Sequence, residues 1–382
     1  MIKMKKSTHK VVFFSALPPY RGGISDFSEL VVSAMEQQYD LKAFTFKKQY
    51  PNFLFPGKTQ LSLNKLSKSY PRIVSGFNPL SYFSAVRQLK KSSPTIFITN
   101  YWMTFFAPMN VFFSKSLKKD CLKIAIIHNL IPHEKRFFDT FFNRIFVKSY
   151  DGFIVLSESV KKDLLAIDPS AKHCLLKHPS YNQFGDKIAR EEAAAALGLD
   201  PTKKILLFFG LIRNYKGLDL LLQAFSNLSN EFSLLIAGEV YGDEITYTNL
   251  IAKSKNKNIH FVNQFIDEQD VKLYFSVADL CVLPYKSATQ SGIQALANSF
   301  CLPVLISNVG GLAEDIVDEK NGFILNDINP LAIQNKIEEI FNENKLTLVK
   351  ENLKLENLLL YDTWTKFSDS LIQFCDTLKK NS

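Results

Sequence analysis

The sequence predicts an α/β protein of two doubly wound parallel-sheet domains, and three observations carry that expectation. Its 382 residues exceed one ordinary domain and suit two, each able to bury a core. Short β-branched or aromatic runs alternate with helical patterns along the chain, the order that βαβ units impose. A polar, turn-rich stretch from His178 to Lys203, containing Pro179, Gly185 and the breaker Asp200-Pro201, divides the alternation into halves.

In the first half the strand candidates are Lys10 to Ser15, Leu41 to Phe46, Pro94 to Asn100, Leu122 to His128 and Gly152 to Leu156. In the second they are Lys204 to Phe209, Phe232 to Ala237, His260 to Val262, Leu280 to Leu283, Pro303 to Ser307 and Gly322 to Leu325. A short helical run, Arg190 to Leu197, lies in the junction, and a last helix, Tyr361 to Leu378, carries Trp364 and Phe367 on an apolar face. The domains are placed at residues 1–180 and 181–360. The uncharged stretch Ser92 to Phe113 has the length of a membrane span, but Pro94, Asn100, Pro108 and Asn110 break it into a strand and a short helix.

Five scattered cysteines without CxxC spacing suggest neither a disulfide framework nor a zinc site, and a reducing cytoplasm fits them. The apolar run after the lysine-rich start ends at Pro18-Pro19 with no small-residue cleavage site, so it reads as a first strand. Charge is polarised: residues 1 to 180 hold 27 Lys and Arg against 11 Asp and Glu, and the remainder 19 against 26. Between Asp40 and Asp120 there are 13 basic residues and no acidic one, among aromatics such as Phe44, Phe46, Phe53, Phe55, Tyr82, Phe83, Phe105 and Phe106. An anionic membrane surface, nucleic acid, or a solvated face over a Phe-rich core would each explain this; no motif supports nucleic acid.

Three loops could carry chemistry. The first, Leu17 to Phe27, follows the first strand and opens a helix, and Gly22 and Gly23 remove side chains where a ligand could approach the backbone; a plain tight turn is the competing reading. GxGxxG is absent, which lowers a nicotinamide or flavin reading. The second, Gly210 to Gly217, joins a buried strand to an apolar-faced helix through Arg213 and Lys216, two cations that can converge on a diphosphate or merely be solvated. The third, Ser287 to Gly292, leads a strand into a helix through Thr289, Gln290, Ser291 and Gly292, a setting for phosphate or ribose hydroxyls or for simple N-capping. Gly310-Gly311, after the next strand, is expected to frame the same crevice.

In this order the elements resemble the retaining glycosyltransferases of family 4, with the GT-B architecture of two Rossmann-like domains facing across a cleft. The likeness covers essentially the whole chain and includes the early Gly-Gly loop, Ile127 to Arg136, Ile154 to Glu158, the Arg213 and Lys216 pair, Ala237-Gly238-Glu239, Ala278-Asp279-Leu280 and Pro303-Val304 followed by Gly310-Gly311. It implies a cytoplasmic enzyme, or one peripheral at the inner face of the cell membrane, that moves a sugar from a nucleotide-diphosphate sugar to a glycan or lipid-linked glycan in envelope or capsular polysaccharide synthesis. The first domain would bind the acceptor and the second the donor, with the terminal helix packing back on the first. The base would lie near Phe265 and the loop of Gly238 and Glu239. Arg213 and Lys216 would stabilise the leaving group and His128 would contact sugar or acceptor, with no cofactor and no metal required; His133 and Glu134 read as surface residues.

Two departures stand out. The usual paired glutamates of the donor domain align with Ala288 and Leu296, and the arginine precedes the lysine by three residues where five is commoner. Either Thr289, Gln290 and Ser291 take over donor binding, or the chain is a non-catalytic nucleotide-sugar or glycan-binding protein that has kept the fold.

Overall fold

The computed structural model describes residues 9–51, 59–61, 68–131, 138–181, 183–359 and 363–380, and the chain divides into two compact units. Unit 1 comprises Met1–Pro179 with Asp362–Ser382, and unit 2 comprises Ser180–Tyr361. His133 and Glu134 lie outside the described residues, as do Phe53 and Phe55.

Unit 1 contains β1 (Lys10–Phe14), α1 (Gly23–Glu36), β2 (Asp40–Lys48), β3 (Arg72–Ser75), α2 (Leu80–Lys91), β4 (Ile96–Tyr101), α3 (Ala107–Ser116), β5 (Leu122–Ile127), α4 (Asp139–Val147), β6 (Gly152–Val155), α5 (Glu158–Ile167) and β7 (His173–Leu175). The strands form one parallel sheet in the order β3-β2-β1-β4-β5-β6-β7. Nearly every residue of β1, β4 and β5 is buried, which is why these strands read as continuous apolar runs rather than alternating ones. The chain winds outward from β1 and then returns to β4, so right-handed crossovers place α1 on one face and α2 to α5 on the other. Stripes such as Phe27, Val31 and Met35 on α1 close the core.

Unit 2 contains α6 (Arg190–Leu197), β8 (Lys204–Phe209), α7 (Leu218–Phe225), β9 (Phe232–Ala237), α8 (Glu244–Lys253), β10 (Ile259–Val262), α9 (Glu268–Val277), β11 (Leu280–Leu283), α10 (Gly292–Ser299), β12 (Val304–Ser307), β13 (Phe323–Leu325), α11 (Pro330–Asn342) and α12 (Lys345–Leu359). Its parallel sheet runs β10-β9-β8-β11-β12-β13, with the reversal of winding between β8 and β11. The final helix, α13 (Thr363–Lys380), rejoins unit 1: Trp364 and Phe367 stack on Phe27 at ring distances of 5.4 and 5.6 Å. A Cβ on Gly152 at the start of β6 would lie 2.5 Å from the Leu378 side chain and 3.0 Å from the Phe374 ring, so the glycine leaves room for these side chains of α13.

Asp279, part of the Ala-Asp-Leu run that carried the resemblance, has a structural task. It accepts the fork of Arg190 at 2.8 and 3.0 Å and the backbone N–H of Ile205 at 2.9 Å, tying α6 and the start of β8 to β11.

The stretch Ser92 to Phe113 folds as β4, a single 3₁₀ turn and most of α3. No helix among the described residues is long and apolar enough to cross a membrane. Two edge strands, β3 and β7, are absent from the sequence expectations, which also give no residue bounds for α2, α4, α5, α8, α9, α11 and α12. The edge strands span four and three residues, too few for a periodic signal, and gain definition from the neighbours they pair with.

Candidate active site

In an open α/β sheet the strand ends at the winding reversal leave a crevice between loops that depart in opposite directions. In unit 2 this point lies between β8 and β11, and the loops that follow them are Gly210 to Gly217 and Pro284 to Ser291. The structure therefore brings Arg213 and Lys216 together with Thr289, Gln290, Ser291 and Gly292 at one sheet edge.

The two loops are joined by several independent contacts. The Lys286 backbone N–H donates to Tyr215 O at 2.7 Å, and its ammonium donates to Asn214 Oδ1 at 2.8 Å and Asp219 Oδ2 at 2.9 Å. Gly217, at φ 69°, links the 3₁₀ turn Asn214–Lys216 to α7, and a Cβ there would fall 2.0 Å from Pro284 O. Tyr285 is buried, meets Tyr215 edge-on at 6.0 Å, and presents its ring to the Lys216 ammonium at 5.6 Å. Tyr285, Lys286 and Asp219 were not among the sequence candidates. No local signal marks them, because their partners lie some 70 positions away, as in the separation of 72 between Lys286 and Asn214.

Lys216 sits in an unusual electrostatic setting. Burial of its ammonium, and then the charge of Arg213, push its pKa down to about 8, with Cys281 acting weakly in the other direction. The Arg213 guanidinium is held 5.6 Å over the Tyr241 ring. Two adjacent cations, one desolvated and resting on an aromatic face, form a site that an anion would relieve: a bound diphosphate restores the charged state that burial disfavours.

This has a pH consequence with a definite sign. Free Lys216 is mostly protonated below pH 8 and loses its proton above it, whereas an anion binds the protonated form and raises its pKa. Affinity for a nucleoside diphosphate is therefore expected to weaken by about tenfold between pH 7 and pH 9, with proton uptake on binding above pH 8. Calorimetry in buffers of different ionisation enthalpy would measure both; affinity flat across that window would contradict the assignment.

The loop after β9 braces this edge. Gly210 N–H donates to Ala237 O and Ile212 N–H to Glu239 O, each at 2.9 Å, and Gly238 N–H donates to Val262 O at 3.0 Å. A Cβ on Gly238, at φ 153°, would lie 2.1 Å from Gly210 O, so the loops after β8 and β9 can be this close only with glycine. Glu239 is buried, and Phe265 is half-buried in the loop after β10, beside β9. Gly311 N–H donates to Ala288 O at 3.2 Å, so the second Gly-Gly packs on the loop after β11. Ser291 occupies the N-cap position of α10, but its side chain accepts no bond from the helix N–H groups. Ala288 and Leu296 are both buried.

Gly22, Gly23 and His128 belong to unit 1. Among the described residues nothing lies within 4 Å of a Cβ built on either glycine, so these residues leave the backbone at the start of α1 open to approach. At the winding reversal between β1 and β4, Asn100 Nδ2 donates to Ser15 and Ser28 hydroxyls at 3.1 and 2.8 Å, a buried polar network that pins α1 to the sheet. His128 follows β5, and its ring is buried edge-on against Phe27 at 4.7 Å. Burial, and secondly the charge of His178, lower its pKa to about 3, so it acts as a neutral imidazole.

Together these features define a protein of two parallel-sheet α/β units whose second sheet carries two cations, Arg213 and Lys216, in a glycine-bounded turn at its winding reversal. Residues 189–354, all within unit 2, match the family model described as Glycosyl transferases group 1. Among curated relatives, the chain is 27% identical over 179 residues to spore coat protein SA of Bacillus subtilis, covering 44% of this chain and 47% of that protein. It is also 27% identical over 150 residues to the D-inositol 3-phosphate glycosyltransferase of Xylanimonas cellulosilytica, covering 38% of this chain and 36% of that protein. The chain thus spans about half the length of these relatives or less.

Solved structures match over nearly the whole chain. Sucrose-phosphate synthase from Thermosynechococcus elongatus superposes with a TM-score of 0.78 at 18% identity, covering 97% of this chain and 100% of that one. Anabaena HepE in complex with UDP gives 0.72 at 12% identity, with coverage of 96% and 99%. These likenesses identify the fold as GT-B.

Proposed function

We propose that this protein is a retaining glycosyltransferase that takes its sugar from a nucleotide-diphosphate donor bound by unit 2 and transfers it to a glycan or lipid-linked glycan held by unit 1. The observation that carries this reading is the desolvated Lys216 ammonium, set on Tyr285 beside Arg213 where the winding of the second sheet reverses. The family match over residues 189–354 and the UDP complex of HepE support it.

In the reaction the bond between the anomeric carbon and the diphosphate oxygen breaks, and the acceptor hydroxyl forms the new bond on the same face. The hydroxyl proton passes to an oxygen of the departing diphosphate. Negative charge grows on the leaving oxygen, and Arg213 and Lys216 offset it from fixed positions. The N–H groups at the start of α10, around Ser291 and Gly292, would add to this. Gly22 and Gly23 would let donor or acceptor approach the unit 1 backbone, and neutral His128 would hydrogen-bond sugar or acceptor. The base would sit by Phe265, Gly238 and Glu239. Thr289 and Gln290 would hold donor hydroxyls in place of the missing carboxylates. No metal or cofactor enters this scheme. Envelope or capsular polysaccharide synthesis at the cytoplasmic face of the membrane is the setting that suits it.

A second reading, binding of a nucleotide sugar without turnover, is favoured by one observation. Ala288 and Leu296, where the resemblance calls for paired glutamates, are buried and apolar, so no carboxylate occupies either place. Mass spectrometry of products from a panel of UDP-, GDP- and ADP-sugars with a lipid-linked acceptor separates the readings. A glycosylated acceptor from one donor supports transfer; donor binding with no product from any donor would support the second reading.

A further inference from the structure

We propose that the outer face of α2 and α3 in unit 1 is a docking surface for an anionic membrane leaflet. The inference rests on unit 1 alone and is independent of the transfer proposed above.

The exposed large apolar side chains of the described part of unit 1 are few, and three of four lie together in sequence: Phe77, Leu80 and Phe83, in and just before α2. Leu80 is 79% exposed and Phe83 64%. Phe83 packs edge-on against Phe112 of α3 at 5.1 Å, and a shallow groove runs along Phe83, Val86, Arg87, Lys90 and Lys91. Lys48 holds its ammonium 5.7 Å over the Phe77 ring.

Cations continue this strip toward the carboxy-terminal ends of α2 and α3. Arg87, Lys90, Lys91, Lys115, Lys118 and Lys119 are all exposed, and neither α2 nor α3 contains an acidic residue. Adjacent helices run in the same sense between parallel strands, so the carboxy-terminal lysines of both lie at one end of the face. Complementing the helix dipole accounts for Lys90, Lys91 and Lys115 in the last turns. It does not account for the exposed Leu80 and Phe83 on the same helix, or for six cations set against one carboxylate, Asp120, in this stretch of chain. Apolar anchors followed along one face by arginine and lysine match the interface of an anionic bilayer, where the anchors enter the acyl boundary and the cations meet phosphate headgroups. A nucleic acid would use the cations but leave the aliphatic Leu80 without a partner.

The test uses the full chain with vesicles of phosphatidylcholine alone, or with about 30 mol % phosphatidylglycerol at low and high salt. Binding to the anionic vesicles only, weakening as salt rises from about 0.05 to 0.5 M, is expected. Each cation near an anionic leaflet is worth about fivefold in partition, so Arg87→Gln, Lys90→Gln and Lys91→Gln combined should reduce binding roughly a hundredfold. Leu80→Ser with Phe83→Ser should reduce it by roughly tenfold or more at unchanged charge. Leu348→Ser, an exposed site in unit 2, should leave it unchanged. Melting temperature and circular dichroism, read on the same variants, verify that both units remain folded. No partition into anionic vesicles at low salt, equal partition by all variants, or retention by single-stranded DNA in preference to vesicles would overturn the proposal. Failure of sugar transfer would leave the vesicle result standing.

Discussion

Replacing Lys216 with methionine is expected to lower kcat for sugar transfer by about 10²–10³-fold, and Arg213→Ala to have an effect of the same order. Methionine keeps the apolar stem on Tyr285 and removes only the charge, so the loss reports on the developing negative charge of the leaving diphosphate. Because both cations act on one group, the double variant should lose less than the product of the single losses. Donor affinity should fall too, but by less than kcat, since the charge on the leaving oxygen is greatest in the transition state. The Lys216→Met variant should also lose the weakening of nucleoside diphosphate binding between pH 7 and 9, because the group that titrates near 8 is gone. Steady-state kinetics and calorimetry on one preparation measure all of this. An unchanged kcat with a merely raised KM would show the pair to be a binding site without a part in the chemical step.

Gly217→Ala is expected to destabilise unit 2 by about 2–4 kcal/mol and to weaken donor binding in the protein that remains folded. Two costs combine at this position. The backbone is left-handed, with φ 69° and ψ 23°, where a Cβ is disfavoured, and the added carbon would overlap Pro284 O at 2.0 Å. That carbonyl belongs to the strand-end segment whose next two residues, Tyr285 and Lys286, fix the cation-bearing turn, so relief of the overlap must shift Arg213 and Lys216. Gly210→Ala is milder sterically: its nearest contacts would be Ile293 at 3.2 Å and the Lys216 ammonium at 3.5 Å, although φ 95° adds strain. Urea unfolding together with nucleoside diphosphate titration checks the order of these effects. Wild-type stability in Gly217→Ala would mean the two loops are not held together as described.

The features legible in the sequence are those whose signal is local. Buried parallel strands such as Ile96–Tyr101 and Phe232–Ala237 announce themselves as apolar runs, and Gly210 to Gly217 reads as a strand, a turn, two cations and a helix. Glycines at Gly217 and Gly238 are visible as letters, but the carbonyls they admit, Pro284 O and Gly210 O, are not. Likewise Lys286 looks like one more surface lysine until its contacts with Asn214 and Asp219 place it across the loop pair. Ser291 has the composition of an N-cap and occupies that position without making the cap's bond. Asp279 is conspicuous as part of a family-like run, yet the reason for an acid there, the Arg190 fork and Ile205 N–H, lies far away along the chain. Local pattern specifies which elements form; the residues that brace the turn of Arg213 and Lys216 depend on pairings that only the folded sheet creates.

The measurement closest to the central claim is release of nucleoside diphosphate from a panel of UDP-, GDP- and ADP-sugars, in the presence of a lipid-linked acceptor, by the wild-type chain beside Arg213→Ala and Lys216→Met. The expected result is acceptor-dependent release from one donor by the wild type, reduced by about 10²–10³-fold in each variant whose fold and melting are intact. Release from no donor, or equal release by wild type and variants, would contradict it.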